Sequence, residues 1–522
     1  MQKTGGSKSL ARILGVGMLV GSVALAMASF APTSSAADSS AFTTIPPDAA
    51  TSDTAADGTS SSPPATTDAL PPASVQQAAA GKTPPYGNAF PVTLETDFSR
   101  PRRAISSSAN SDFSLLNDLE RLIKGTYIDP RTGKARSATS KHSNLVYLSI
   151  SRMENSHRVG RTLIAAAKAG VTVRVIHGKA SQSKESRSLQ KALNSSTLRN
   201  SSFKICQKGK SLACLSGLNG AIMHTKILII GNTFTRNKTN AKGVIWSGSA
   251  NLGGPSGERT FNNGLTVYND KKLFNQARAM WSDMWAERNV RNDYLHYVDV
   301  HASKYGLVNA ASYGYTSGYA VNGMFYSNLA NVTIYPTPIY ATPSNGKDPV
   351  LMMLNRIIPD DTCRIRVQHN RFKYRRIALA QKLVELSDRG CKVEAIAFED
   401  DRKVNRIANC QLYIRICKPI LDVFRTANVR IEVAWAKPHD KTMLVEAKMG
   451  ANKLNPEETP PRGGSWPQRI TLVQAGSAAL TGSNLVVSDE ITTETTDPSV
   501  YEDYLEHWRA IWKSHEHHDY PY

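Results

Sequence analysis

The sequence carries one strand–helix–strand pattern twice, and that repetition most restricts what the chain can fold into. In the first copy, residues 144–150 are an apolar, β-branched run, residues 159–168 have helical spacing, and residues 171–176 are a second apolar run. Gly170 stands where a helix C-terminal cap is needed. In the second copy, residues 363–368, 376–387 and 391–397 repeat the pattern, with Gly390 in the place of Gly170. A strand–helix–strand unit implies parallel pairing and a right-handed crossover. Each copy ends in a helical stretch with two tryptophans four apart, Trp281 and Trp285, then Trp508 and Trp512. One helical face holds each pair, and core packing accounts for them. Residues 113–123 also have helical spacing.

The repeat gives meaning to a short motif. His224 and Lys226 stand at the head of the apolar run at residues 227–230. Side chains two apart on a strand share a face. A histidine beside a fixed cation suits chemistry on an anionic group such as a phosphate. The second copy repeats this with His439 and Lys441, ahead of another apolar strand. Two such pairs in register with a duplicated fold belong to one design.

The formal charge is +20 with a pI of about 9.6. That favours anionic partners: nucleic acid, anionic lipid head groups or cell-wall polymers. Lys3, Lys8 and Arg12 precede a long apolar stretch and small residues at 34–37, as in an export signal over residues 1–37. Residues 38–90 are rich in Ala, Ser, Thr and Pro and read as a disordered linker. The first half then spans 91–297, a Tyr/Asn/Ser/Gly-rich connecting segment 298–348, and the second half 349–522. The connecting segment is either a loop over the site or a simple connection. Six cysteines fall as Cys206/Cys214, Cys363/Cys391 and Cys410/Cys417, which in an exported chain points to disulfides. Their spacing fits no zinc ribbon. His515, His517 and His518 read as a solvated tail. His177 and His369 end strands of the repeat and are expected to be structural. Arg371, Lys373, Arg375 and Arg376 form a basic cluster at a strand end, either a solvated helix start or a contact for phosphate or a membrane surface.

With these residues in place, the chain resembles the phospholipase D superfamily from about residue 110 onward. That family repeats His-x-Lys, followed after four residues by Asp, then Gly-Ser-x-Asn and a later acidic residue. Gly248-Ser249-Ala250-Asn251 matches the second element fully; Gly476-Ser477-Ala478-Ala479 lacks its Asn. The resemblance implies two similar α/β/α halves that meet at a single active site across a pseudo-twofold axis. It implies two-step chemistry through a phosphohistidine, with no metal or other cofactor. His224, Lys226, His439, Lys441 and Glu490 are its candidate catalytic residues. Ser249, Asn251 and Ser477 are its candidate phosphate-binding residues. In related bacterial phospholipases the first-half histidine is the nucleophile, which carries over to His224 with His439 as general acid and base; the residues are also compatible with the reverse.

The departures set further expectations. Gly231 stands where the first Asp belongs, and Glu446 replaces the second. Glu490 matches the late acid, with Asp489 its rival, whereas residues 262–265 of the first half carry no carboxylate. His439, backed by Glu490, is therefore expected to be the well-oriented and more basic ring. His224 is expected to rest on Asn263 or a carbonyl. The function implied is a secreted phospholipase D-type phosphodiesterase acting on phospholipid at a membrane surface, by hydrolysis or by transfer to an alcohol. An extracellular nuclease on the same fold is the alternative, and a catalytically weak binding protein the third reading. Oligomeric state is left open by the sequence.

Overall fold

The computed structural model describes residues 92–101, 111–154, 159–178, 182–207, 211–216, 221–287, 325–327, 329, 331–338, 348–373, 376–398, 416–453, 455–486 and 488–513. The export signal, the linker, most of the connecting segment, Cys410, Arg375 and the histidine-rich tail lie outside them.

The first sheet has seven strands: β1 (Leu94–Ser99), β2 (Leu145–Ile150), β3 (Thr172–His177), β4 (Ser202–Lys204), β5 (Ile227–Phe234), β6 (Asn240–Gly248) and β7 (Asn262–Val267). Their order is β1-β7-β6-β5-β2-β3-β4. β2 and β3 run parallel, joined through the helix Val159–Lys168, and β5, β6 and β7 pair antiparallel.

The second sheet holds β8 (Phe325–Ser327), β9 (Val332–Thr337), β10 (Arg364–His369), β11 (Lys392–Phe398), β12 (Glu432–Ala436), β13 (Lys441–Met449), β14 (Gln468–Gly476) and β15 (Glu490–Thr495). Their order is β8-β9-β15-β14-β13-β10-β11-β12, with Ile357–Ile358 added on β13. β10 and β11 are parallel across the helix Ile377–Asp388. The run β7-β6-β5-β2-β3-β4 thus reappears as β15-β14-β13-β10-β11-β12, strand for strand. The sheets differ at one edge. There the first adds β1 and the second adds β9 and β8, both drawn from the segment between the halves, which the sequence reads as a loop over the site or a simple connection.

The cause of the repeated unit is local. Val146, Leu148 and Ile150 of β2, like Ile365 and Val367 of β10, are buried. They pack against Leu163 and Ala166, or Leu379, Leu383 and Leu386, of the crossover helices. Gly170 and Gly390 end those helices with φ of 98° and 110°, a region unfavourable to any residue with a Cβ. Cys363 and Cys391 are disulfide-bonded immediately before β10 and β11, where Arg364 pairs with Lys392. Cys206 is bonded to Cys214, and Cys417 is also disulfide-bonded.

The two sheets share core. Phe98, Phe261 and Leu265 cluster with Leu444, Val473 and Tyr501, while Ile227 and Ile245 cluster with Ile334 and Ile491. Trp281 and Trp285 stack at 5.2 Å, and Trp508 and Trp512 at 4.6 Å. Trp281 and Trp508 are buried. No helix of the described residues is long and apolar enough to cross a membrane.

Gly390 offers a direct check on the unit. An alanine there takes a strained φ and meets the Asp360 backbone at 3.2 Å. Gly390→Ala should lower unfolding free energy by about 1 kcal/mol or more, read as a reduced urea midpoint with unchanged slope.

Candidate active site

Both His-x-Lys segments lie at the start of a central strand, β5 in one sheet and β13 in the other, where the sheets meet. Each histidine is fixed by the opposite half. The backbone N–H of His224 donates to the Asp489 carbonyl at 2.9 Å, and that of His439 donates to the Phe261 carbonyl at 2.8 Å. The ring of His224 donates from Nδ1 to Glu490 at 2.8 and 2.9 Å. The ring of His439 meets Asn262 Oδ1 at 2.9 Å, again through Nδ1.

This corrects the pairing expected from sequence. Glu490 supports His224, not His439, and Asn262 rather than Asn263 supports the second ring. The reason is the pseudo-twofold docking: each half lends its late strand, β7 or β15, to the other half's histidine. Asn263 is engaged elsewhere. Its Nδ2 donates to Asp440 at 2.6 Å and to Thr442 at 3.0 Å. Asp440 also accepts from Gln368 at 2.6 Å and contacts His507 at 3.1 Å, so the strand of His439 is tied down from three sides. Asp489, the rival acid, accepts from backbone amides of Cys214 and Leu215 instead of an imidazole.

The serines expected to hold phosphate brace these ring supports. Ser249 Oγ donates to Asn262 Oδ1 at 3.2 Å, and Ser477 Oγ donates to Glu490 Oε2 at 2.5 Å. Both are fully buried. Asn484 also donates to Glu490. Thr337, from the segment between the halves, accepts from the Glu490 backbone N–H at 3.0 Å. Asn251 differs from the serines: its Oδ1 is buried and has no hydrogen-bond partner among the described residues. The signal that finds Asn262 in the sequence is spacing. It stands 13 residues after Ser249, as Glu490 stands 13 after Ser477.

The hydrogen bonds also fix the tautomers. Asn262 Nδ2 donates to the carbonyls of Ser256 and Thr260 and to Thr260 Oγ1, so its Oδ1 must face His439. Nδ1 of His439 therefore carries the hydrogen and Nε2 holds the lone pair. Glu490 imposes the same tautomer on His224, with a full negative charge to stabilise a positive ring. Burial pulls His224 down to about 4; Glu490 opposes this and Lys226 adds to it. His439 is held well below the usual histidine value by burial, Lys441, Lys226 and His224, with no carboxylate among these leading influences. Of the two rings, His224 is thus the one backed for protonation or for a phosphoryl bond.

The lysines are fully buried and each donates to the carbonyl of its own histidine, at 2.8 Å for Lys226 and 2.5 Å for Lys441. Burial lowers Lys226 to about 7, against Glu490 and with help from Arg152. Lys441 is lowered well below its ordinary value by burial and by Lys226, and Arg371 contributes. So many buried cations around one carboxylate form a site that an anion stabilises. Arg371 of the basic cluster therefore bears on the site. Arg376 instead pairs with Asp348 at 2.7 Å. His177 is buried and contacts the Gly178 carbonyl at 2.5 Å. His369 pairs in register with Lys441. Among the described residues no cluster of His, Cys, Asp and Glu has the makings of a metal site.

Gly231 stands seven residues after His224, roughly 20 Å along a strand. A Cβ there would meet Asn144 Oδ1 at 2.8 Å. Glu446 pairs with Arg469 at 3.1 Å. A carboxylate at either position is too remote to touch the histidines, so neither departure weakens the site.

The family model described as "Cardiolipin synthase, PLD-like domain" matches residues 136–285. No curated protein matches the chain significantly. Among solved structures, the phosphatidylserine synthase of Haemophilus influenzae Rd KW20 is similar with a TM-score of 0.42 and 9% identity, over 82% of this chain and 89% of that one. The polyphosphate kinase of Porphyromonas gingivalis is similar with a TM-score of 0.40 and 10% identity, over 79% of this chain. The match takes in 49% of the kinase, so the chain spans about half that protein's length. Nuc from Salmonella typhimurium, a phospholipase D family member, has a TM-score of 0.25 and 13% identity, over 38% of this chain and 95% of its own.

Sulfate, dianionic throughout the neutral range, probes the cationic site. A bound anion holds the Lys226 proton that the free site releases near pH 7. Sulfate affinity should therefore fall about tenfold per pH unit above 7 for this proton alone. Titration calorimetry of Lys226→Met should show that slope reduced by one proton. Asn262→Asp should raise the His439 pKa by supplying the missing carboxylate, visible as a shifted ring titration in NMR spectra.

Proposed function

We propose, from the PLD-like family match over residues 136–285, that this chain is an exported phosphodiesterase of the phospholipase D type that cleaves the head-group phosphodiester of phospholipids. The observation that carries the reading is the meeting of two oriented histidines and two buried lysines in one site, each ring held from the opposite half. His224 Nε2 attacks phosphorus while Glu490 holds the Nδ1 hydrogen and stabilises the charge that the ring acquires. Lys226, Lys441 and the Asn251 side chain face the non-bridging oxygens, whose negative charge grows in the transition state. His439, drawn toward protonation once the phosphate charge enters, gives its proton to the leaving head-group oxygen. It then takes a proton from water or an alcohol, which attacks the phosphohistidine and frees His224.

Nuclease action at the same site is the second reading. It is favoured by the overall charge of +20 and by Arg152 and Arg371, which add positive potential beside Lys226 and Lys441. A vesicle assay separates the two readings. Phosphatidylethanolamine or phosphatidylcholine vesicles should release head group, and an added primary alcohol should yield the phosphatidyl-alcohol. His224→Ala and His439→Ala should each lower release by about 10³-fold or more, as loss of a covalent or acid–base group does. Degradation of plasmid DNA with the vesicles untouched would replace the lipid reading by the nuclease one.

A further inference from the structure

The Cys206–Cys214 disulfide closes a short loop that the chemistry above does not use. The loop nevertheless touches both the segment that leads into His224 and the strand that supports its ring. Leu212 donates its N–H to the Ala221 carbonyl at 2.9 Å and accepts from the Met223 N–H at 3.0 Å, one residue before His224. On its other side, Cys214 and Leu215 donate backbone N–H groups to the Asp489 carboxylate, at 2.5 and 3.1 Å. The main chain of Asp489 in turn grips the catalytic strand. Its N–H donates to the Ile222 carbonyl at 3.0 Å, and its carbonyl accepts from the His224 N–H at 2.9 Å. The next residue, Glu490, holds the His224 ring.

The pseudo-twofold supplies an internal control. Phe261 occupies the position of Asp489 beside the other histidine. Its carbonyl accepts from the His439 N–H at 2.8 Å and its N–H donates to the Lys437 carbonyl at 3.3 Å. The next residue, Asn262, holds the His439 ring. There the same backbone grip works with an apolar side chain packed in the shared core. The carboxylate of Asp489 is therefore not required for the grip itself. It is fully buried, where an anion is costly without strong compensation, and burial pushes it up to about 7 despite three backbone donors. What it adds on the His224 side is a link to a covalently closed loop.

We infer that Asp489 is a positioning residue that ties His224 to the Cys206–Cys214 cross-link, so that the placement of this histidine depends on that disulfide. This rests on His224 being a reacting group, as proposed above. Breaking the cross-link slackens the attacking ring, whereas the Lys226 backbone keeps its bond from the Gly248 N–H and Lys441 stays in β13 of the other half. The loss therefore falls on turnover and spares binding.

The test is a double-mutant cycle on the full chain, with bis(p-nitrophenyl) phosphate as substrate and sulfate as binding probe. Asp489→Ala and the pair Cys206→Ala/Cys214→Ala should each lower kcat by about ten- to a hundredfold, with KM and sulfate affinity within about threefold. The combined variant should be no slower than the slower parent, because both changes cut one connection. Asp489→Asn, which keeps an acceptor oxygen, should recover most of the rate. Cys363→Ala/Cys391→Ala should lower the melting temperature and leave kcat within about threefold. Losses that multiply, or a kcat unchanged by either parent change, would overturn the inference. If the wild-type chain turns over neither lipid nor chromogenic diester, the proposed function fails separately. The ¹⁵N signals of the His224 ring then decide the positioning: they should shift in both variants while those of His439 hold, and unmoved His224 signals would refute it.

Discussion

The structure depends on a reciprocal exchange: each half of the chain finishes the other's histidine. The Nδ1 hydrogen bonds from His224 to Glu490 and from His439 to Asn262 both cross between the halves. So do the backbone bonds at Asp489 and Phe261. Neither half alone has an oriented imidazole. The shared core of Phe261, Leu265, Leu444 and Val473 therefore acts as more than packing, because it holds the register in which the exchange occurs.

The two halves are equal in framework and unequal in chemistry. One ring has a carboxylate behind it and the other an amide whose orientation is locked by three acceptors. A carboxylate stabilises a positive ring more than an amide does. Two-step phosphoryl transfer uses its histidines differently: one must carry a phosphoryl group, the other must gain and lose a proton readily. The charged support under His224 and the neutral support under His439 match that division. The buried lysines, each bonded to its own histidine's carbonyl, serve both rings alike.

Much of this was legible in the residues. The duplicated strand–helix–strand unit follows from Gly170, Gly390 and the buried runs beside them. The His-x-Lys pairs follow from the strand period. The partner of each histidine was not legible, because it depends on how the sheets dock, and linear order suggested pairing within a half. Ser249 and Ser477 were read as phosphate contacts; their burial and their bonds to Asn262 and Glu490 come from tertiary packing. The part of residues 298–348 that forms β8 and β9 shows no strand period, because β8 is only three residues long and β9 is buried along its whole length, so its residues do not alternate. Gly231 looked like a lost catalytic residue, and its distance from His224 follows from strand rise alone.

The central claim is that His224, held by Glu490 across the interface, is the group that bonds to phosphorus. The most direct test is to react His439→Asn, in which breakdown of the intermediate is slowed, with a ³²P-labelled phosphodiester, quench in alkali and map the labelled peptide. The account predicts phosphohistidine on the peptide containing His224, lost when Glu490→Gln is added. Label on another residue, or stable labelling that ignores Glu490, would contradict it.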